Sequence, residues 1–499
     1  MCHGRRPLFS FLILSLVIAS LLAGCAARPL PATRIAEGSA ACPAFMERLV
    51  DTIREAGTGN AAAIPVPGFP YLRANRYLAA LKDRLADEGG KKAWVDGMAA
   101  LSLEALQGEI AALPDHAAAG HSAGDAGSRE RLMDRAVSCS QSLLHSDRER
   151  GNLCERLAAA VKVPDEYSLA MRVFGLYPLA YIPEKMVTGR VRERFRKLFA
   201  TPPEGLPVEG RLVTYAPAPS PALPEGEVAR IIRSSSENAL RTPMPAGEDA
   251  ERLVARFAPV FIQDVAAPYD EPGRVAWSPE GLIIDPRVPA VYHYFTHAFL
   301  KENPVLQINY VVWHPQRAGK SAPCIEHGRL DGLTVRVSLD GAGRVFMVDI
   351  MNNCGCYHLF LPNRSFVAGV IESPWPEEPY VPQWLPDIPP GGRLAIRVMS
   401  GWHQVEGIAV AAAAAPSKTY DILPYAILES LPKKNQRPES MFDATGIGKG
   451  SERVERYLFF PMGIPSVGSM RQRGHHAIAL TGRLHFDDPY LFEKHFLFN

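Results

Sequence analysis

The chain has 499 residues, with 54 Lys and Arg against 53 Asp and Glu, a formal charge of +1, and 47% apolar residues. That balance excludes a nucleic-acid binder driven by overall charge and a chain too polar to bury a core. The length suits two or three domains with sizeable cores, and no internal repeat at solenoid or propeller periods is visible.

Arg5 and Arg6 precede an apolar run from Leu8 to Leu22, the charged-then-apolar layout of a secretory signal. The run is short of the roughly 20 residues that a membrane span needs. It ends in Leu22-Ala23-Gly24-Cys25, which resembles the lipobox of bacterial lipoproteins: small residues that fit a peptidase cleft, then a thiol for thioether lipidation. An uncleaved anchor extended through Ala26 and Ala27, or an ordinary signal with a coincidental cysteine, also places the bulk of the chain outside the cytoplasm. The resemblance implies that residues 1–24 are removed as a signal peptide and that Cys25 carries acyl chains, palmitate among them. It also implies permanent anchoring. With Ala26 next to Cys25, it further implies sorting to the outer membrane, facing the periplasm. Six cysteines then remain, Cys42, Cys139, Cys154, Cys324, Cys354 and Cys356. An even number in an oxidising compartment points to disulfides.

From about Cys42 to Phe199 apolar residues recur at helical spacing, for example Phe45, Leu49 and Ile53, then Leu132, Ala136, Cys139 and Leu143. Gly57 and the pair Gly89-Gly90 sit where helices would stop. Cys139 and Cys154 fall in successive helical patterns, so a bridge between them would staple a helical hairpin. The stretch from His116 to Ser128 reads as a connection. An almost wholly apolar segment, YSLAMRVFGLYPLAYIP, then leads into the basic GRVRERFRKLF. Here Val191, Phe195, Leu198 and Phe199 share one helical face while arginines crowd the rest. This basic helix, Arg190 to Phe199, is either a second membrane contact or a core helix with a solvated basic face.

Seven prolines between Thr201 and Glu227 read as an extended linker, followed by a bridging helix near Ala250 to Phe257. Strand-like runs then dominate: PVFIQD, AVYHYFTHAF, VLQINYVVWH, LTVRVSL, RVFMVDIM, RLAIRVM and HAIALTGRLHF. The Ala-rich run from Ile408 to Ala415 reads as a packed strand or helix. A second proline-rich insert is expected to form a surface loop exposing Trp375, Tyr380 and Trp384. Sequential hairpins favour an antiparallel sheet. The expected fold class is therefore α+β: a helical domain over 25–200, a Pro-rich linker and bridging segment over 201–248, and an antiparallel β-rich domain, sandwich or open barrel, over 249–499.

Candidate chemistry gathers in the β region. If Lys301-Glu302-Asn303-Pro304 turns with His297 opposite Gln307, alternation puts His293, His297, Gln307 and Asn309 on one face, fit for a metal or a sugar. A slip of one residue destroys that arrangement. The hairpin around Asp340-Gly341-Ala342-Gly343 should bring Cys324, Glu326, His327 and Asp331 near Cys354, Cys356 and His358, because a hairpin returns its ends to one place. Three readings compete for this cluster. Cys324 bonds Cys354 or Cys356. Alternatively, Cys354, Cys356 and His358 project to one side and with His327 or Asp331 hold zinc or copper(I). In the third, Cys354 or Cys356 is a nucleophile with His327 or His358 as base. At the end of the chain, His476 and His485 would face opposite sides of a strand unless it breaks at Gly482, and His475 could join another site.

No HExxH helix, GxSxG elbow, Walker loop or GxGxxG is present. The leading expectation is a lipid-anchored envelope protein that binds or assembles, held to membrane at Cys25, with a protein or glycan partner. The rival is a zinc-dependent hydrolase using His293, His297, His327, Asp331 or His358 around a bound water. Convergence of at least three of those side chains would separate the two.

Overall fold

The computed structural model describes residues 41–120, 128–372, 379–411, 416–480 and 483–499. The signal segment, Cys25, Trp375 and Gly482 lie outside the described residues.

The first half is mainly helical. It comprises α1 (Cys42–Glu55), a hairpin of β1 (Ile64–Val66) and β2 (Phe69–Ala74), α2 (Arg76–Leu81), α3 (Glu88–Ala112), α4 (Asp115–Ala119), α5 (Ser128–Glu149), α6 (Leu153–Ala160), α7 (Leu169–Phe174) and α8 (Tyr177–Ala200). Gly57 ends α1 with φ +64°, as its position implies. Gly89 and Gly90 do the opposite of what was expected. They open α3, because the Asp87 side chain accepts a hydrogen bond from the Gly90 N–H and caps the helix.

The segment 201–248 is no spacer. β3 (Arg211–Pro217) lies inside the main sheet, and α9 (Glu225–Ser235) is followed by α10 (Gly247–Phe257). The strands that follow are β4 (Val260–Val265), β5 (Arg274–Ser278), β6 (Gly281–Asp285), β7 (Ala290–Leu300), β8 (Asn303–Arg317), β9 (Gly328–Leu339), β10 (Val345–Asn352), β11 (Cys356–Pro362), β12 (Val367–Val370), β13 (Leu394–Val398), β14 (Val405–Val410) and β15 (Lys418–Pro424). Nine of them join β3 in one ten-stranded sheet, in the order β11-β10-β9-β8-β7-β15-β3-β4-β13-β14. It is mostly antiparallel, with parallel pairs β7·β15, β15·β3 and β4·β13. The fold is α+β, as expected, built on one large sheet rather than two stacked ones.

Both faces of the central strands are covered. Ile308, Tyr310 and Val312 of β8 pack with Val335 and Val337 of β9 against Ile231, Ile232, Leu253 and Val254 of α9 and α10. Val311 and Trp313, pointing the other way, pack against Tyr425, Met441 and Met470 of the C-terminal segment. That double burial is why VLQINYVVWH reads as a continuous apolar run. HAIALTGRLHF forms no long strand. Ala477 and His485 make an isolated antiparallel bridge instead.

The expected β7–β8 register is off by one. Thr296 faces Gln307 and His297 faces Leu306, because the loop is the two-residue Lys301-Glu302, both at positive φ. Positive φ at both residues is the type I′ geometry of a two-residue hairpin loop, and it fixes the pairing. His293 and His297 therefore do not share a polar face with Asn309, which hydrogen-bonds Thr296 instead.

Candidate functional site

At the open end of the β9–β10 hairpin the chain buries a dense set of ionisable groups, and Asp331 is its hub. Arg317, at the end of β8, reaches across to neighbouring β9 and grips both Asp331 oxygens at 2.8 Å while its third nitrogen bonds Glu326 at 2.6 Å. His403 donates to Asp331 at 2.8 Å and to Asp270 at 3.1 Å, so both ring nitrogens carry protons and the ring is an imidazolium. Burial alone would lower its pKa, but the two carboxylates hold it above the ordinary value. Asp331 shows the converse: burial pushes its carboxyl up, and Arg317, His403 and Arg453 hold it far below the usual range. His314 stacks on His403 at 4.0 Å with rings 8° from parallel. Burial, then the neighbouring imidazolium, keeps His314 neutral. Glu326 also accepts from Tyr357 and Trp402.

Cys354 and Cys356 complete the cluster. Gly355 between them has φ +79°, and a Cβ there would stand 2.5 Å from the Ala477 carbonyl oxygen, so the turn that brings the sulfurs together requires glycine. Burial raises the Cys354 thiol, but a hydrogen bond from Cys356 and the guanidiniums of Arg317 and Arg453 bring it below the ordinary value. Cys356, donating to Cys354 and buried, is pushed up.

Hairpin closure thus unites Glu326 and Asp331 with Cys354 and Cys356, as the sequence implied, but the other expected members turn away. His327 Nε2 lies 3.2 Å from the Ala322 carbonyl. Cys324 is exposed and unbonded, since its short turn points Glu326 inward and Cys324 outward. His358 leaves the thiols because Tyr357, at φ +55°, breaks strand alternation. It pairs with Asp349 at 2.7 Å, beside Arg336, in a second buried trio. His297 bonds the Pro243 carbonyl at 2.7 Å, and half-buried His293 has its pKa lowered to about 4 by desolvation. Among the described residues no group of three or more His, Cys, Asp or Glu is arranged to hold a metal ion.

The disulfide is Cys42–Cys139, not Cys139–Cys154, and Cys154, Cys324, Cys354 and Cys356 are free. Cys139 lies ten residues before the end of α5 while Cys154 is the second residue of α6. At about 1.5 Å per residue these positions cannot face each other across the turn. Near the C-terminus the chain does fold back, so His476 and His485 both approach Asp487, at 3.3 and 3.7 Å, while His475 pairs with Glu166.

A different surface feature stands out. Leu169, Val173, Phe174, Leu176, Leu179, Ile182 and Met186, on α7, its connection and the first half of α8, each expose more than half of their area. Val454, Tyr457 and Leu458 do the same on a segment that runs into Phe460–Met462, against which α7 and α8 pack. The expected amphipathic face behaves otherwise: Phe195 is buried, and Val191, Leu198 and Phe199 pack with it beside Trp402 and Tyr380. Tyr380 and Trp384 are correspondingly half-buried rather than displayed, Tyr380 donating to the Arg192 carbonyl.

Compared with protein-family models, with curated proteins and with solved structures, the chain finds no match.

Proposed function

We propose that this is a lipid-anchored cell-envelope protein that does its binding or assembly work lying on a membrane, seated through α7, the apolar half of α8 and the adjoining Val454–Leu458 segment. The observation that supports it is the exposed apolar surface. Isolated exposed apolar side chains are ordinary, whereas a contiguous set of large ones marks an interaction site. Lipid is the occupant that the charge pattern fits. Over residues 169–200 there are seven Arg and Lys against two Glu, and Lys185, Arg190, Arg194, Arg196 and Lys197 are exposed on the helix that continues the apolar surface. Apolar side chains entering the acyl boundary beside cations at headgroup level is the arrangement of interfacial helices. No helix among the described residues is long and apolar enough to cross a membrane, in keeping with seating rather than spanning. Acyl chains at Cys25 would tether the chain sixteen residues before its first described residue.

Co-sedimentation with vesicles tests this on a chain produced from residue 26 onward, which carries no lipid of its own. It should bind phosphatidylglycerol vesicles in preference to phosphatidylcholine ones and release in high salt. The double variant Leu179→Glu with Ile182→Glu should weaken binding at least about tenfold with no loss of thermal stability, since both positions are exposed. Equal binding by parent and variant would remove the reading. So would a parent that ignores vesicles and dimerises through this face.

A further inference from the structure

We propose that Cys354 and Cys356 form a hydroperoxide-reducing thiol pair, with Cys354 as the attacking sulfur, Cys356 as the resolving thiol, and Arg453 and Glu455 as the groups that receive the peroxide. This is independent of membrane seating.

Four observations converge on it. The two cysteines are both buried and belong to one tight hairpin turn set by Gly355. Arg317 and Arg453 lie beside Cys354 and favour its thiolate, the nucleophilic form. Arg453 is fully buried, yet its Nε and Nη1 find no hydrogen-bond partner, although its Nη2 donates to the Leu330 carbonyl at 2.8 Å. Glu455 Oε2 is also buried without a hydrogen-bond partner, 3.9 Å from Arg453 Nη1. Orphaned buried donors and acceptors are costly and call for an explanation. Here two unpartnered donors and a carboxyl oxygen belong to groups whose charges act on the Cys354 thiol, and together they are the complement of a small molecule that accepts hydrogen bonds at one oxygen and needs a proton at the other. Burial raises the Glu455 pKa to about 8, with the neighbouring Cys354 and Glu326 adding to it. The carboxyl therefore holds its proton at neutral pH and can give it up.

The chemistry balances as follows. The Cys354 thiolate attacks one peroxide oxygen and the O–O bond breaks. Cys354 becomes a sulfenic acid, and the departing alkoxide or hydroxide takes a proton from Glu455 to leave as alcohol or water. The Cys356 thiol then attacks the Cys354 sulfur. A disulfide forms, the sulfenic oxygen leaves as water with the Cys356 proton, and Glu455 regains a proton from solvent. One hydroperoxide is reduced by two electrons and one dithiol is oxidised.

Two sources could supply the oxidant. Val454, Tyr457 and Leu458 lie on the exposed apolar surface, while Arg453 and Glu455 of the same segment point inward. A lipid hydroperoxide and free hydrogen peroxide are thus both possible substrates.

The test treats the full-length reduced protein with hydrogen peroxide in buffer, or with vesicles carrying a fatty-acyl hydroperoxide, and reads each cysteine by peptide mass. Reaction with either oxidant supports the proposal and identifies the source; reaction with neither overturns it. The parent should lose two hydrogens from the peptide that holds Cys354 and Cys356. Cys356→Ser should stop at a sulfenic acid on Cys354 that dimedone traps. Cys354→Ser should leave Cys356 reduced while keeping the parent's circular dichroism and melting temperature. Arg453→Lys keeps the charge but loses the fork, and should slow the oxidation roughly tenfold. Oxidation confined to exposed Cys324, or Cys354 and Cys356 reacting equally in the two serine variants, would overturn the assignment.

Discussion

Glu184 is the most tractable single residue. It sits buried on the apolar half of α8, where desolvation lifts its carboxyl from the usual 4.5 to about 7 against a modest opposing pull from Arg172. Between those values the folded chain keeps a proton that the unfolded chain has released, so stability falls as pH rises through the window and stays low above it. The shift corresponds to about 3 kcal/mol. Glu184→Gln does not titrate. Its melting temperature should therefore exceed the parent's at about pH 8 and match it near pH 4, and equal melting temperatures at both would mean that Glu184 is solvated. Asp331 is the opposite case. Asp331→Asn leaves Arg317 and Arg453 buried without their shared carboxylate, and breaking a buried pair in this way costs about 3–5 kcal/mol. Urea unfolding should show that loss. This hub was only half legible from sequence. Asp331, Glu326 and the two cysteines flank one hairpin and could be grouped by turn chemistry. Arg317 could not be singled out, and Asp270, His403 and Arg453 arrive from 61 residues before to 122 residues after Asp331, with no local spacing to announce them.

At the scale of elements, the strands that read most clearly were those with two buried faces or clean alternation, β7 to β10. β3 was hidden by the proline-rich stretch around it, and β15 by its polar composition, although both lie in mid-sheet. Register is harder than existence. Lys301-Glu302 carries no Asn-Gly signature, yet both residues take positive φ, and that one loop decides which side chains face His297. The Cys42–Cys139 bridge joins α1 to α5 across 97 residues. In the chain-entropy account a loop of that size is worth about 4–5 kcal/mol. The double variant Cys42→Ala with Cys139→Ala should lose most of that in chemical denaturation, and a reducing agent should reproduce the loss in the parent and leave the variant unchanged.

At the scale of the whole molecule, helices and sheet are tied by contacts that are polar, distant in sequence and in part buried. The Arg73–Glu109 pair stands next to Asn60, which with Gln472 meets Glu429, and Glu429 in turn pairs with Arg473. Arg84 stacks over Phe299 and Tyr490 and bonds the Glu302 carbonyl. Phe299, from β7, is itself part of the core that packs α1 to α6. Removing the sheet would uncover that core and strand the buried charges, each costly without its partner. The expected division at 201–248 therefore marks a change of secondary structure and not a line along which the protein comes apart. Far-ultraviolet circular dichroism follows the helices, while Trp313 and Trp402, deep in the sheet region, dominate the buried tryptophan signal with Trp94. The two probes should trace one coincident unfolding curve, the signature of a single cooperative unit even at a size where domains commonly unfold separately. Two resolved midpoints, with helicity lost first, would show instead that the interface between helices and sheet is too weak to couple them.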